Sequence, residues 1–173
     1  MEKSNSTLGP VVSASHLADG GLAALSELEY ALVVLGNAYG RWLAACSAAS
    51  GGAGLSTMEV QILHAINHRE RAKSLSQLCT MFNIEDTHVV AYALKKLEAL
   101  ELVESGRRGK EKTVQITKAG TEHCLQYRKL REKILVEPIR SLGLDENRIS
   151  DIAALMRVMS GQYDQATRAA ASM

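Results

Sequence analysis

The residues best suited to chemistry form a basic run in the second half of the chain. Residues 105–118 carry five basic side chains and one acidic one, although the formal net charge of all 173 residues is only +1. Such a concentration of positive charge on a nearly neutral chain indicates a local anionic partner. A solvated surface segment is the alternative. The basic residues are Arg107, Arg108, Lys110, Lys112 and Lys118.

Two histidines have a spacing that a metal ion could use. His64 and His68 are four residues apart, so on a helix they would lie on one face. No acidic residue or cysteine stands at a useful spacing beside them, although His123 and Cys124 could approach in the fold. We therefore favour two unrelated histidines, and we predict no metal site and no cofactor.

Three cysteines, Cys46, Cys79 and Cys124, lie far apart without paired spacing. This pattern argues against a disulfide framework and a thiolate zinc site, and it fits a reducing cytoplasm. Cys46 falls on an apolar helix stripe, which predicts a buried, inert thiol. If one cysteine senses oxidants, Cys124 is the best candidate, because polar residues surround it in the sequence.

Several function classes lack their usual motifs. The chain has no glycine-rich phosphate loop, nucleophile elbow or His-Glu metal motif, so we do not expect an enzyme. It also has no apolar run of 18 residues and no basic-then-apolar start, so we predict neither a membrane span nor a secretory signal. The expected location is the cytoplasm.

The elements around the basic run follow a recognisable order. Ser56 with Glu59, and Ser74 with Gln77, have capping-box spacing, which predicts two helix starts. A third helix, residues 86–100, follows a turn. Two short β-branched segments around residues 105–113 then predict a hairpin. Helix, turn, helix and basic hairpin make up a winged helix-turn-helix, so the predicted fold is mainly α with a two-stranded β wing.

Such a domain would bind double-stranded DNA through its third helix and its wing. Helix 86–100 should bury Val90, Ala93, Leu94 and Leu97 and place its polar face in the major groove. An amphipathic surface helix is the alternative for this element alone. The wing would contact DNA through Arg107, Arg108, Lys110 and Lys112. The outward residues of the helix are Thr87, His88, Ala91, Tyr92, Lys95 and Lys96.

The regions outside the winged domain, 53–118, divide into three parts. Residues 1–19 have no clear periodicity and are interpreted as a flexible tail. Residues 20–52 form one long striped helix, and residues 119–173 form C-terminal helices, the first ending near Pro138. The stripes hold more apolar surface than one small lobe needs, which indicates dimerisation helices. The candidate interface residues are Leu25, Leu28, Leu32, Leu35, Ile149, Ile152, Met156, Met159 and Tyr163.

The chain resembles the MarR family of winged helix-turn-helix transcription regulators over about residues 22–165. The resemblance rests on segments 55–66, 74–84 and 89–105, and on VQITKAG at residues 114–120. It implies a homodimeric, DNA-binding regulator, with repression more usual than activation. It also implies a possible small-molecule effector bound between the dimer helices and the winged domain. Tyr39, Trp42 and Met58 are candidates for that pocket, with plain core as the favoured alternative.

The chain departs from the family in two places. The wing lacks the usual Asp-x-Arg pair, and the third helix carries His88, Val89, Ala91 and Tyr92 where Ser, Thr and Arg are typical. Fewer hydrogen-bonding side chains imply weaker base readout, partly replaced by contacts with thymine methyl groups. A dimeric winged-helix protein-interaction module with weak or lost sequence-specific DNA binding is therefore the alternative function.

Overall fold

The computed structural model describes residues 9–51 and 54–173, which are mainly helical with one small antiparallel sheet. The chain divides into two compact units, Met1–Tyr127 and Arg128–Met173. The elements in chain order are α1 (Ser15–Ala18), α2 (Ala23–Ala49), α3 (Thr57–Asn67), a 3-10 turn (His68–Glu70), β1 (Lys73–Ser74), α4 (Leu75–Phe82), α5 (Thr87–Ala99), β2 (Val103–Arg108), β3 (Glu111–Ile116), α6 (Lys118–Arg131), a π-helical turn (Glu132–Val136), α7 (Glu137–Ser141) and α8 (Glu146–Ala170).

Both predicted capping boxes are present. The Ser56 backbone N–H donates to Glu59 Oε2 at 2.7 Å, and the Glu59 N–H donates to Ser56 Oγ at 3.4 Å. Ser74 and Gln77 make the equivalent pair of bonds at the start of α4. Each box satisfies two amide groups that a helix start would otherwise leave without partners. The four residues of each capping box therefore determine where α3 and α4 begin.

The core of the first unit lies where α3 packs against α2 and α5, and where α4 packs against α5. As predicted, α5 buries the apolar side chains that recur on one of its faces. The last turns of α2 contribute Leu43 and Cys46, whereas the first half of α2 leaves large apolar side chains exposed. The fully buried residues include Val60, Ile62, Leu63, Ile66, Leu78, Val90 and Leu97.

The sheet has three strands in the order β1-β3-β2, one more than the sequence analysis predicted. The added strand β1 has only two residues, and Lys73 and Ser74 pair with Val114 and Thr113 of β3. Two residues are too short for an alternating pattern, which is why the sequence did not reveal this strand. It anchors the middle of β3 to the start of α4.

The TKAG segment, residues 117–120, forms the junction between the hairpin and α6. Thr117 Oγ1 donates to the carbonyl oxygen of Glu101 at 2.7 Å and accepts the Gly120 N–H at 3.0 Å. A Cβ atom on Gly120 would lie 2.1 Å from the carbonyl oxygen of Leu102, so only glycine fits there. This junction sets the direction in which the hairpin leaves the domain.

The second unit contains the end of α6, the π-helical turn, α7 and α8. The prediction that a helix ends near Pro138 was wrong, because Pro138 stands in the first turn of α7, where its missing N–H costs nothing. Asp145 caps α8 as expected, accepting the Asn147 N–H at 3.1 Å. None of the residues of α7 or α8 is buried within the chain.

Part of the segment interpreted as a flexible tail, 1–19, has defined contacts. Residues 15–18 form α1, and Ser26 Oγ of α2 donates to the carbonyl oxygen of Leu17 at 2.8 Å. The Val11 N–H donates to Glu27 Oε1 at 2.9 Å. For residues 1–8, which lie outside the described residues, the tail stays a prediction.

Candidate nucleic-acid interface

The outer face of α5 carries most of the residues proposed to contact DNA. Asp86 caps the helix by accepting the His88 N–H at 2.9 Å, which leaves the first turn directed away from the core. Tyr92 is 72% exposed and Val89 is 41% exposed, although both are large and apolar. The face is thus a mixed surface of apolar and hydrogen-bonding side chains. Its other exposed residues are Thr87, His88, Ala91 and Lys95.

Lys96 does not belong to that face, which revises the expectation for this residue. Its ammonium lies 2.9 Å from Oε2 of Glu59 and donates to the carbonyl oxygen of Gly54. Because Glu59 is buried and pairs with no other cation in the described part of the chain, we propose that Lys96, whose side chain is 37% exposed, serves this ion pair rather than a phosphate. Lys95, one residue earlier, is exposed.

The wing presents basic side chains on both faces of its hairpin. Arg107 lies directly opposite Lys112, and Arg108 directly opposite Glu111, so the two pairs point to opposite faces. Gly109, at φ +63°, makes the tight turn that brings these pairs to the tip. The four predicted wing cations, Arg107, Arg108, Lys110 and Lys112, are all exposed.

An acid–base pair stiffens the tip of the wing. Arg108 Nη2 lies 2.8 Å from Glu111 Oε2. The hydrogen bond from Arg108, followed by one from Ser74, lowers the pKa of Glu111 below its usual value. Glu111 therefore joins the wing to the start of α4. This pair stands where the sequence lacks the Asp-x-Arg pair of the resembled family.

A cleft of about 340 Å³ joins α5 to the wing. Lys95 and Ala91 of α5 line it, as does Lys112 of β3. Glu98 also lines the cleft, and it accepts a hydrogen bond from Ser105 Oγ of β2. The cleft thus brings one cation from the helix and one from the wing to a single concave surface.

The three residues proposed for an effector pocket lie on α2 and at the start of α3. Tyr39 and Trp42 of α2 lie beside Tyr127 of α6. Met58 lines a separate groove together with Val89 and Tyr92, and neither Tyr39 nor Trp42 lines that groove.

The histidines lie in different environments. The ring of His64 packs edge-on against Tyr127 with 4.5 Å between ring centroids, whereas His68 is exposed in the 3-10 turn. His123 Nε2 lies 3.1 Å from Ser47 Oγ. Burial lowers the pKa of His64, as does the nearby charge of His123. Among the described residues, no three His, Cys, Asp or Glu side chains are placed to hold a metal ion.

The cysteine expectation needs one correction. Cys46 is buried, as its place on the apolar stripe predicted. Cys124, proposed as the best oxidant sensor, is also buried, and that burial raises the pKa of its thiol to about 11. Since the thiolate is the reactive form, Cys124 is poorly suited to sensing. Its polar neighbours Glu122 and Gln126 are exposed, so they do not share its surroundings.

A basic surface that the sequence analysis missed lies beside the wing. Arg69, Arg71 and Lys73 line a groove together with Arg108 of β2. Alternation of basic residues at positions 69, 71 and 73 was visible in the sequence. Its meaning depended on β1, which places this segment next to the hairpin.

Some of the proposed dimer-interface residues are exposed, whereas Leu25, Leu28, Leu32, Met156 and Met159 are half-buried within the chain. Ile149 and Ile152 of α8 are exposed, as is Leu35 of α2. The structure adds further exposed apolar side chains on the same helices. The additional residues are Val33, Val34, Leu155 and Val158. None of the helices within the described ranges is long and apolar enough to cross a membrane.

Comparison with known proteins agrees with this geometry. A family model described as a winged helix DNA-binding domain matches residues 55–120. No curated protein sequence matches the chain. Among solved structures, a MarR family transcription regulator superposes with a TM-score of 0.65 at 11% identity, over 89% of this chain and 97% of that one.

Two further structures were determined with bound partners. The transcriptional repressor CouR, bound to p-coumaroyl-CoA, has a TM-score of 0.61 at 20% identity and covers 80% of this chain and 96% of its own. A MarR mutant from E. coli complexed with operator DNA has a TM-score of 0.63 at 14% identity and covers 82% of this chain and 99% of its own. Residues 55–120 are therefore a winged-helix domain, within a chain that has the fold of these transcription regulators.

Proposed function

We propose that this chain, which has the fold of the MarR family of transcription regulators, is a homodimeric DNA-binding regulator. The observation that supports this proposal most directly is the cleft that Lys95 of α5 and Lys112 of the wing both line. A helix for the major groove and a basic hairpin for the adjacent backbone are the two parts that a winged helix uses on DNA. We assign the contacts to α5, without Lys96, and to the four wing cations.

Dimerisation is proposed on the exposed apolar side chains of α2 and α8. A 25-residue helix that buries no residue within its own chain needs an external partner for its apolar side. A second copy of the chain is the partner that the fold's relatives suggest. The interface would include the predicted residues of both helices, together with Val33, Leu155 and Val158.

The sign of regulation is proposed as repression, by occupation of a promoter. This rests on the fold and on the repressor CouR. An effector is proposed on the same ground, since CouR is bound to p-coumaroyl-CoA. Such a molecule would act by binding the DNA-competent and incompetent forms with different affinity. Tyr39 and Trp42, which share a neighbourhood, remain candidates to contact it.

The test is fluorescence anisotropy on random-sequence duplex DNA, and on the region upstream of the chain's own gene, across a salt series. Log affinity should fall linearly with log salt, by about 0.9 for each phosphate neutralised. R107A/R108A/K110A should weaken binding to all sequences and flatten this slope. R107K/R108K, which keeps the charges, should retain most of the slope. Tighter binding upstream than to random DNA would support regulation.

A second candidate function is a dimeric protein-interaction module. The exposed Tyr92 and Val89 favour it, because large apolar side chains are as suited to a protein partner as to bases. Absence of DNA binding even at low salt, in a protein that sedimentation shows to be a folded dimer, would support this module over the regulator.

A further inference from the structure

The groove beside the wing has an unusual distribution of charge. It encloses about 530 Å³ between the 3-10 turn, β1, α4 and the end of β2. Four basic side chains line it, Arg69, Arg71, Lys73 and Arg108, and of these Arg108 is paired with Glu111 at 2.8 Å. None of the described residues that line it is a carboxylate. We call it the 69–73 groove.

Lys73 keeps its positive charge in the groove, where its hydrogen-bond acceptors are neutral. The residue is only 9% exposed, and its ammonium donates to the carbonyl oxygens of Ile66, His68 and Arg71 at 3.3, 2.9 and 3.1 Å. Burial lowers the pKa of Lys73, and the positive charge of Arg71 lowers it further. The two cations therefore repel each other in the free protein, and an anion in the groove would relieve that repulsion.

The backbone directs the two arginines outward. Arg69 has φ +59° and ψ +19°, a left-handed conformation that is strained for a non-glycine residue. This turn lets the chain leave α3 and enter β1 within a few residues, and it leaves Arg69 and Arg71 exposed. A guanidinium presents a planar fork of N–H donors that fits phosphate oxygens.

Arg108 connects the groove to the wing. It lines the 69–73 groove and also belongs to the hairpin tip that the proposed function places on the DNA backbone. The basic surface therefore continues from the wing cations through Arg108 to Arg71 and Arg69.

On the basis of the function proposed above, we propose that Arg69 and Arg71 bind phosphates of the DNA backbone beyond those held by the wing. The interaction is sequence-independent, because the groove presents charge and no fixed pattern of base-reading donors and acceptors. Lys73 does not reach the DNA in this arrangement. It holds the carbonyl groups of the turn in place and so positions both arginines.

The test compares salt slopes of DNA affinity. R69A/R71A should lower the slope by about 0.9 for each phosphate that the variant no longer neutralises, and it should weaken binding equally on all sequences. R69K/R71K, which keeps both charges, should retain most of the slope. R41A/K118A removes the same charge from exposed residues that do not line the groove, and it should change the slope less. If circular dichroism shows that R69A/R71A is poorly folded, the single variant R71Q replaces it in the comparison of salt slopes.

Three results would overturn the proposal. If R69A/R71A and R71Q bind DNA with the wild-type slope while R107A/R108A/K110A flattens it, DNA binding stands and the groove is not part of it. If the wild-type protein does not bind DNA, the proposed function fails together with this extension. If calorimetry shows that wild type binds inorganic phosphate, that R69A/R71A does not, and that the DNA slope is unchanged, the groove is a small-anion site.

Discussion

The ammonium of Lys96 on α5 lies 2.9 Å from Oε2 of Glu59 in the first turn of α3. Glu59 also closes the capping box with Ser56, so one buried carboxylate joins the start of α3 to the proposed DNA-binding helix. Burial raises the pKa of Glu59, but the hydrogen bonds from Lys96 and the Ser56 backbone outweigh it, and the net pKa lies below its ordinary value. The pair fixes the rotation of α5 on its support.

Replacing Lys96 should therefore affect stability more than DNA binding. We expect K96M to lower the free energy of unfolding by about 1–2 kcal/mol at pH 7, because Glu59 loses its charged partner. The difference from wild type should shrink below about pH 4.5, where Glu59 in the unfolded chain is protonated. Urea unfolding measures both effects, and E59Q in a double-mutant cycle isolates the pair. K95M, on the exposed face, should instead lower the salt slope of DNA binding. A flattened slope in K96M with unchanged stability would contradict this assignment.

Gly120 should tolerate no side chain. We expect G120A to destabilise the protein by about 1–3 kcal/mol, since its Cβ would meet the carbonyl oxygen of Leu102 at 2.1 Å and Cδ1 of Ile116 at 2.7 Å. G36A is the matched control, because nothing lies within 4 Å of a Cβ placed there. In the middle of α2 it should be neutral or stabilising by up to about 1 kcal/mol. Equal melting temperatures for G120A and wild type would show that the hairpin junction can relax.

Stability should decrease as the pH falls below about 6.5, the pKa of histidine in an unfolded chain. Burial lowers the pKa of both His64 and His123 in the folded protein, so the unfolded state binds protons first and acid favours unfolding. The loss amounts to about 1.4 kcal/mol for each unit by which a pKa is lowered. Urea midpoints between pH 7.5 and 5.5 should fall less in H64F, which keeps a ring against Tyr127 but cannot titrate. Parallel curves for H64F and wild type would exclude His64 as a source of this dependence.

The thiol of Cys124 should be nearly unreactive in the folded protein. With its pKa raised to about 11, it holds almost no thiolate at neutral pH. Mass spectrometry should show that iodoacetamide labels Cys124 at least about a hundredfold more slowly in buffer than in urea. Peroxide should leave DNA affinity unchanged on the same timescale. Rapid labelling of native Cys124 would restore the redox hypothesis.

The helices and their starts were predictable because their signals are local. The capping boxes at Ser56 and Ser74 lie within four residues, and the buried face of α5 repeats every three or four residues. The hairpin followed from β-branched residues on both sides of Gly109. In each case a single stretch of sequence contained the whole physical cause.

The parts that the sequence did not reveal depend on contacts between distant segments. Lys95 and Lys96 are neighbouring residues of the same type. Only the contact with Glu59, which lies almost forty residues earlier in the sequence, distinguishes the environment of Lys96 from that of Lys95. The polar neighbours of Cys124 suggested exposure, but packing of α6 against α2 decides its burial, as shown by the contact of Ser47 with His123. The 69–73 groove depends in the same way on pairing between β1 and β3.

The exposed state of α8 has a consequence for the amount of protein in a cell. None of the residues of α8 is fully buried, and the dimerisation proposed for this helix would depend on protein concentration. Each tenfold dilution of a dimer removes about 1.4 kcal/mol of its stability relative to separate chains. Synthesis rate and dilution by growth would therefore adjust how much of the proposed dimer exists, and the amount of that dimer would respond more steeply than proportionally to gene dosage.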